Sequence, residues 1–445
     1  MRALSKTALM VCVAIIGCEG ERSSVGELPC FGAHTRCRPV NAFFPIIADA
    51  ATTLAAEGRA EIVWKHAFNS PPCSDDTCSQ DWHRGFVVHQ SGNTTVATLL
   101  GMKNARSVGC RLEHLDSNGE ITDSAEHEIF ALGEGRAVNV SLELSTDRAG
   151  RTLALVSVEL ANANDYSLVS VLELADEKRF EPRLMVSTSP MVARSIASVE
   201  ADIVASSNDY PVTLARFRGD GTMVWRQSQV IADNTAIFGP PSLNGNTPRL
   251  LALAVDQEAH IWTVLSEAGY GIARMDGDGN TDRHGVVLNS SGSDLVAKAL
   301  LAFDSRNRAL AAIDDRGVLR VDPEGPEPDR YELVVNRRSQ EEFYTPLVSA
   351  LAIDDDDRVY VATQAGPRSA RKVLIDRISE DFRARDTFVL IGLDQPELQD
   401  LRVTKILIGP DGDLYLGGAS SSNPAFGFGT SAAPEWIARV HLSES

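Results

Sequence analysis

Short apolar runs separated by Asp- and Gly-rich turns recur along most of the chain. Between Leu250 and Leu288 one run (Leu251 to Val255) meets a turn led by Asp256, and a second (Ile261 to Leu265) returns. A third (Ile272 to Met275) ends in Asp276-Gly-Asp-Gly before a fourth at His284 to Leu288. Runs of this length with turn residues between them predict a four-stranded antiparallel meander. A single meander cannot bury both of its faces, so it requires copies of itself on either side.

Those copies are present. The third runs stack as Leu112 to Asp116, Val171 to Ala175, Leu214 to Arg218, Ile272 to Asp276, Val318 to Asp322, Ile375 to Ser379 and Ile437 to His441. The first runs align so that Asp256, Asp304, Asp354 and Gly409 each stand five residues before the next apolar residue. Seven such units predict an all-β fold, a seven-bladed β-propeller of four-stranded antiparallel blades. The blades fall at approximately 82–135, 136–190, 191–245, 248–292, 297–338, 346–395 and 401–442 of a domain spanning 59–445. After the seventh third strand only Leu442 to Ser445 remain, so the last blade lacks its outer strand. Residues 61–68, within the alternating stretch RAEIVWKHAF, are expected to supply it and cover the open edge. From Trp82 to Leu442 the chain resembles the bacterial seven-bladed propellers of NHL-like type, in which apolar strands alternate with Asp-x-x-Gly turns. The Gly of that pattern is missing after Asp256, Asp304 and Asp354.

The first residues read differently. Arg2 and Lys6 precede an apolar stretch, Thr7 to Ile16, too short to span a bilayer, and Ile15-Ile16-Gly17-Cys18 follows. This resembles a bacterial lipoprotein signal peptide (1–17), which implies cleavage after Gly17 and acylation of Cys18 as the lipid anchor. An ordinary secretory signal cut elsewhere is the alternative. Glu19 stands where an Asp would retain such a protein at the inner membrane, so the expected location is the outer membrane or cell surface. Residues 18–58 then form a tether and a stapled segment, with a helical turn or two across 46–57. Cys30 with Cys37 and Cys73 with Cys78 are expected to form two small disulfide loops in an oxidising compartment, leaving Cys110 over. Zinc at Cys73, Cys78 and His83 is the competing reading.

A net charge of −19 argues against nucleic acid as a partner. Three features carry candidate chemistry. Asp276, Asp278, Asn280 and Asp282 place oxygens at alternate positions, a spacing that suits calcium, while the same residues also make an ordinary Gly/Asp turn. Arg216, Arg274, Arg320, Arg377 and Arg439 repeat at one third-strand position, where stems cover apolar surface and guanidiniums pair with neighbouring carboxylates. The insertion 417–435 breaks the repeat and presents Phe426 and Phe428 as a partner-binding loop. No G-x-S-x-G, H-E-x-x-H or P-loop occurs. The expectation is a non-enzymatic binding or scaffold module of the cell envelope, without a cofactor unless calcium binds. It would meet the membrane through the Cys18 lipid and an envelope protein or glycan through its loops. The alternative is a propeller lyase or glycan-active hydrolase, with carboxylates and His converging on the central channel.

Overall fold

Val, Ile, Leu and Thr suit a pleated backbone that is packed on both sides, and every described element of the chain is a strand. The computed structural model describes residues 28–29, 36–37, 58–68, 84–100, 106–132, 137–146, 150–160, 166–175, 178–188, 191, 193, 195–199, 202–207, 213–227, 249–266, 269–284, 288–289, 299–313, 317–322, 329–331, 348–365, 372–382, 384–391, 401–420 and 436–443.

The strands form successive antiparallel meanders. Blade 1 is Arg84–Val88, Thr94–Leu100, Ser107–Leu115 and Ile121–Ala131, and blade 2 is Ala137–Thr146, Thr152–Leu160, Tyr166–Ala175 and Arg179–Ser187. Blade 3 is Ser195–Val199, Asp202–Ser207, Thr213–Phe217 and Met223–Gln227. Blade 4 is Arg249–Val255, Ile261–Ser266, Gly269–Met275 and Thr281–His284, with Leu288–Asn289 added. Blade 5 is Ala299–Phe303, Ala309–Ile313, Gly317–Val321 and Asp329–Tyr331, and blade 6 is Val348–Ile353, Val359–Ala365, Lys372–Ile378 and Arg385–Ile391. Blade 7 takes Leu401–Ile408, Leu414–Ser420 and Trp436–Ser443 from the end of the chain and Gly58–Ala67 from its beginning.

The core is divided among the seams between blades, and side-chain alternation decides which seam each residue enters. In blade 5, Ala309, Ala311 and Ile313 pack against Trp262 and Ile272 of blade 4, while Leu310 and Ala312 pack against Val348 and Val361 of blade 6. This explains why the second strand of blade 5, Ala309–Ile313, is apolar without a break: both of its faces are interiors. Equivalent clusters join Val108 to Leu142, Val169 to Ile203, Leu214 to Ile261 and Ile375 to Val403. The last, Phe86, Val96 and Leu115 against Tyr415 and Ile437, joins blade 7 back to blade 1 and closes the ring. First strands lie innermost, those of blades 7, 1 and 2 in sequence and those of blades 3 to 7 in sequence. A Val or Leu side chain buried in a seam stabilises by about 1.5–3 kcal/mol. Each blade therefore draws its stability from both neighbours.

Closure follows the expected route, with one addition. Gly58–Ala67 runs antiparallel to Trp436–Ser443, Glu61 opposite His441 and Ala67 opposite Trp436. Its first residues also pair in parallel with blade 6, Gly58 with Phe388 and Glu61 with Ile391, so blades 6 and 7 share one sheet. The strand begins three residues before the expected start at Glu61, and that overrun makes the second pairing. Gly58 is required there, since a Cβ would lie 2.5 Å from the Phe388 ring.

The outer strand of blade 4 differs from the expected His284 to Leu288. It starts at Thr281, because the Asp276 N–H bonds the Asn280 carbonyl at 2.9 Å and the ladder resumes at the next residue. Cys110, the cysteine left over, is wholly buried between blades 1 and 2, and burial pushes its thiol up to about 12.

Candidate functional site

In an antiparallel blade the turns after the first and third strands share one face of the ring, and the second-to-third connections and interblade links share the other. The first face is built from one repeated turn. The opening residue donates its N–H to the carbonyl of the fifth, and the fourth donates back to the first, as in Asp256 to His260, Asp276 to Asn280 and Gly409 to Asp413. The fourth residue lies at positive φ each time: Gly92, Gly119, Gly221, Gly279 and Gly412, but also Ala259, Asn307, Asp357 and Phe382. The missing glycines thus leave the turn unchanged. Two of the substitutes add a bond between blades, Asn307 accepting from the Gln257 N–H at 3.1 Å and Asp357 from the Ser305 N–H at 2.7 Å.

The aspartates of these turns are occupied. One oxygen of Asp256, Asp304, Asp354, Asp276 or Asp116 accepts N–H groups from the third and fifth turn residues. The other accepts Trp262 Nε1 at 2.8 Å in Asp256, Arg308 Nε at 2.5 Å in Asp304, and Tyr360 Oη at 3.0 Å in Asp354. At the calcium candidate, Asp276 Oδ1 takes the Asp278 and Asn280 N–H groups and Oδ2 the Asn280 amide at 3.2 Å. Asp278 and Asn280 are exposed, and Asp282 sits on the strand Thr281–His284, its side chain outside the described residues. Among the described residues no cluster of three or more His, Cys, Asp or Glu is arranged to hold a metal ion.

Three of the arginines fasten a blade to the next. Arg216 bonds Asp202 at 2.7 Å and the Gly277 carbonyl of blade 4 at 2.7 Å. Arg320 bonds the Glu380 carbonyl of blade 6 and lies over Phe382. Arg439 bonds Asp413 at 2.7 Å, Asp411, and the Ser117 carbonyl of blade 1 at 3.3 Å. Each of these carbonyls belongs to the second residue of an outer turn. Arg377 turns instead to Asp386 of its own blade at 2.7 Å, since blade 7 receives its outer strand from elsewhere and has no outer turn. The expected carboxylate pairing therefore holds for Arg216, Arg377 and Arg439, and the carbonyl clasp accompanies it. Arg274 packs over Trp262.

Histidines do not converge on the channel among the described residues. Asp256 holds His260 at 3.1 Å, Asp413 holds His441 at 2.7 Å, and Thr95 Oγ1 lies between His89 Nε2 (2.7 Å) and His114 Nδ1 (3.0 Å). These are three separate groups, two at turns of different blades and one within blade 1.

One charged group does reach the inner ring. Lys405 stands four residues before the turn in the first strand of blade 7, a place taken by Ala252, Leu300 and Ala350 in blades 4 to 6. Its Nζ donates to the carbonyl of Leu144 at 2.9 Å and of Phe86 at 3.2 Å, on the first strands of blades 2 and 1, and lies 5.5 Å from the Phe86 ring centroid. The reach past blade 1 is possible because the same place there is Gly85, where a Cβ would stand 3.1 Å from Leu144 Cγ. In blade 2 the place holds Glu143, which is exposed. Burial lowers the Lys405 ammonium from its ordinary value, and the Glu143 charge draws it partly back.

The lipid-anchor residue Cys18, the disulfide candidates Cys30, Cys73 and Cys78, and the loop residues Phe426 and Phe428 lie outside the described residues, as does the helical stretch expected across 46–57. Cys37 is described only as backbone, in the short pairing of Arg36–Cys37 with Leu28–Pro29.

No protein-family model matches the chain, nor does any curated protein. Among solved structures, one of a mitotic checkpoint complex is similar at 9% identity and TM-score 0.44, over 85% of this chain and 100% of that one. YCF48 from Cyanidioschyzon merolae is similar at 12% identity and TM-score 0.42, over 84% and 99%. A luciferin-regenerating enzyme is similar at 14% identity and TM-score 0.37, over 68% and 92%. At such values the likeness carries no argument for function.

Proposed function

We propose that the chain is a cell-envelope lipoprotein, anchored through Cys18, whose propeller is a rigid non-enzymatic module that captures an envelope protein or glycan. Capture uses the loops of the face opposite the Asp turns. One observation carries this reading: the turn face is spent on itself. Its opening aspartates bind their own turns and three of its arginines bind the next blade, so these side chains are already committed. The strand Leu414–Ser420 takes the first four residues of the expected insertion 417–435, and the rest, with Phe426 and Phe428, lies in sequence between the second and third strands of blade 7.

The test uses the full chain in a bacterial host. Alkyne-palmitate should label it, and Cys18→Ser should abolish the label and release the protein from the membrane fraction. A photoreactive phenylalanine analogue at 426 should give a discrete adduct that the same analogue at 220, on the turn face, does not give. Equal adducts from both positions, or none from 426, would count against the loop face; absence of palmitate would count against the anchor.

A further inference from the structure

We propose that His89 and His114 together bind a borderline divalent metal ion, of the zinc, nickel or copper class, on the turn face of blade 1. Two imidazole nitrogens there address one point: Thr95 Oγ1 lies 2.7 Å from His89 Nε2 and 3.0 Å from His114 Nδ1. His89 opens the turn after the first strand, Thr95 stands near the start of the second, and His114 is opposite Thr95 on the third.

These three residues depart from the repeat together. The same places hold Asp256, Trp262 and Arg274 in blade 4 and Asp354, Tyr360 and Arg377 in blade 6. There the carboxylate takes the ring's N–H or O–H as well as N–H groups of its own turn. Blade 1 closes the same turn without an Asp: the His89 N–H bonds the Asn93 carbonyl at 2.9 Å, and Ser91 Oγ accepts the Asn93 N–H at 3.4 Å. Exchanging a carboxylate and a guanidinium for two imidazoles puts two nitrogen ligands where an acceptor and a donor stand elsewhere.

Imidazole nitrogen suits zinc, nickel and copper, whereas calcium takes oxygen. Thr95 has one hydroxyl proton, so without an ion it donates to one ring and accepts an N–H from the other. An ion takes both facing nitrogens bare, and that N–H proton passes to the other nitrogen of its ring or to solvent. Nitrogens that share one oxygen stand close enough for side-chain rotation to bring both to about 2.0–2.1 Å from a metal. Among the described residues no third His, Cys, Asp or Glu joins the cluster, so water completes the coordination. Both rings are partly exposed, and the net charge of −19 draws cations to the surface. The site is independent of the lipid anchor and of capture at the loop face.

Nickel titration of the full chain by calorimetry is the first test. His89→Gln and His114→Gln should each weaken the binding of one ion by at least about ten-fold, and His441→Gln should leave it unchanged, with melting curves to show that each variant is folded. Copper with ascorbate, which oxidises the rings that hold the ion to 2-oxohistidine, reads the same site by peptide mapping of the unsubstituted chain. His441, whose side chain is 62% exposed, is the internal standard. His89 and His114 should be oxidised faster than His441. No saturable nickel site, an affinity that neither His89→Gln nor His114→Gln lowers, or oxidation that falls on His441 ahead of both overturns the proposal.

Discussion

Trp64, on the strand that closes the ring, donates its indole N–H to the carbonyl of Ser117 at 2.8 Å, the same oxygen that Arg439 reaches from blade 7. The arrangement is repeated at blade 3, where Trp225 joins Arg216 on the carbonyl of Gly277 at 3.0 Å. In both places the indole lies over the glycine two residues further on, Gly119 or Gly279, and a Cβ at Gly119 would be 2.4 Å from the Trp64 ring. Trp64→Phe should cost about 1 kcal/mol for the lost bond, and Trp64→Ala about 3–5 kcal/mol once the cavity is included. Urea unfolding measures both. A null effect of Trp64→Ala would mean that the closing strand contributes little to the ring.

The turn glycines separate backbone strain from clash. Gly412 has φ of 83° and open space where a Cβ would stand, so Gly412→Ala tests conformation alone and should destabilise by about 1 kcal/mol. Gly119→Ala adds the collision with Trp64 and should cost distinctly more. Ala259 already sits at φ 66° without a compensating bond, so Ala259→Gly should stabilise slightly, by about 0.5 kcal/mol after the added freedom of the unfolded chain is counted. The three substitutions ranked by denaturant midpoint check the order.

Acid should loosen the outer seam between blades 1 and 2. The Phe180 N–H donates to His127 Nε2 at 3.0 Å, while Nδ1 is buried without a partner. Burial first, and the Arg179 charge second, hold the imidazole below its ordinary value. The unfolded state then takes up the proton first, so stability is full above the unfolded value of about 6.5 and is lost as pH falls below it. Melting temperatures between pH 7.5 and 5 should fall more steeply for the wild type than for His127→Gln, whose side chain does not titrate.

Calcium is expected to leave the melting temperature unchanged at millimolar concentration, because both oxygens of Asp276 are already bonded within the turn. A rise that Asp278→Ala abolishes would instead make residues 276–282 a cation site.

The blades and their closure were legible in the sequence because they are written locally. Alternation, and the Asp that opens the turns at 116, 256, 276, 304 and 354, mark strand ends within a few residues of one another. Gly58 pairing with blade 6 was not legible, since it depends on how far the closing strand overruns the one it completes. The arginines were visible as a repeated position, but the carbonyls that they grasp are backbone atoms 61 and 322 residues away, with no residue type to announce them. Lys405 was not singled out from the sequence, although its departure from Ala and Leu in the aligned first strands is the signal that marks it. What it touches depended on Gly85, a residue that matters by having no side chain and that becomes its neighbour only when the ring shuts.

The Ser443 hydroxyl bonds the Arg59 carbonyl across 384 residues of chain. A contact of such separation forms late, after the intervening blades have stacked and shortened the distance to be closed. During synthesis the strand at Gly58–Ala67 emerges among the first and must wait for the last. Until then it is an unpaired edge with exposed backbone donors and acceptors, and two nascent copies near each other can exchange it. Folding yield should therefore depend on chain concentration more than native stability does, and a separately supplied peptide of residues 58–68 would compete for that final slot.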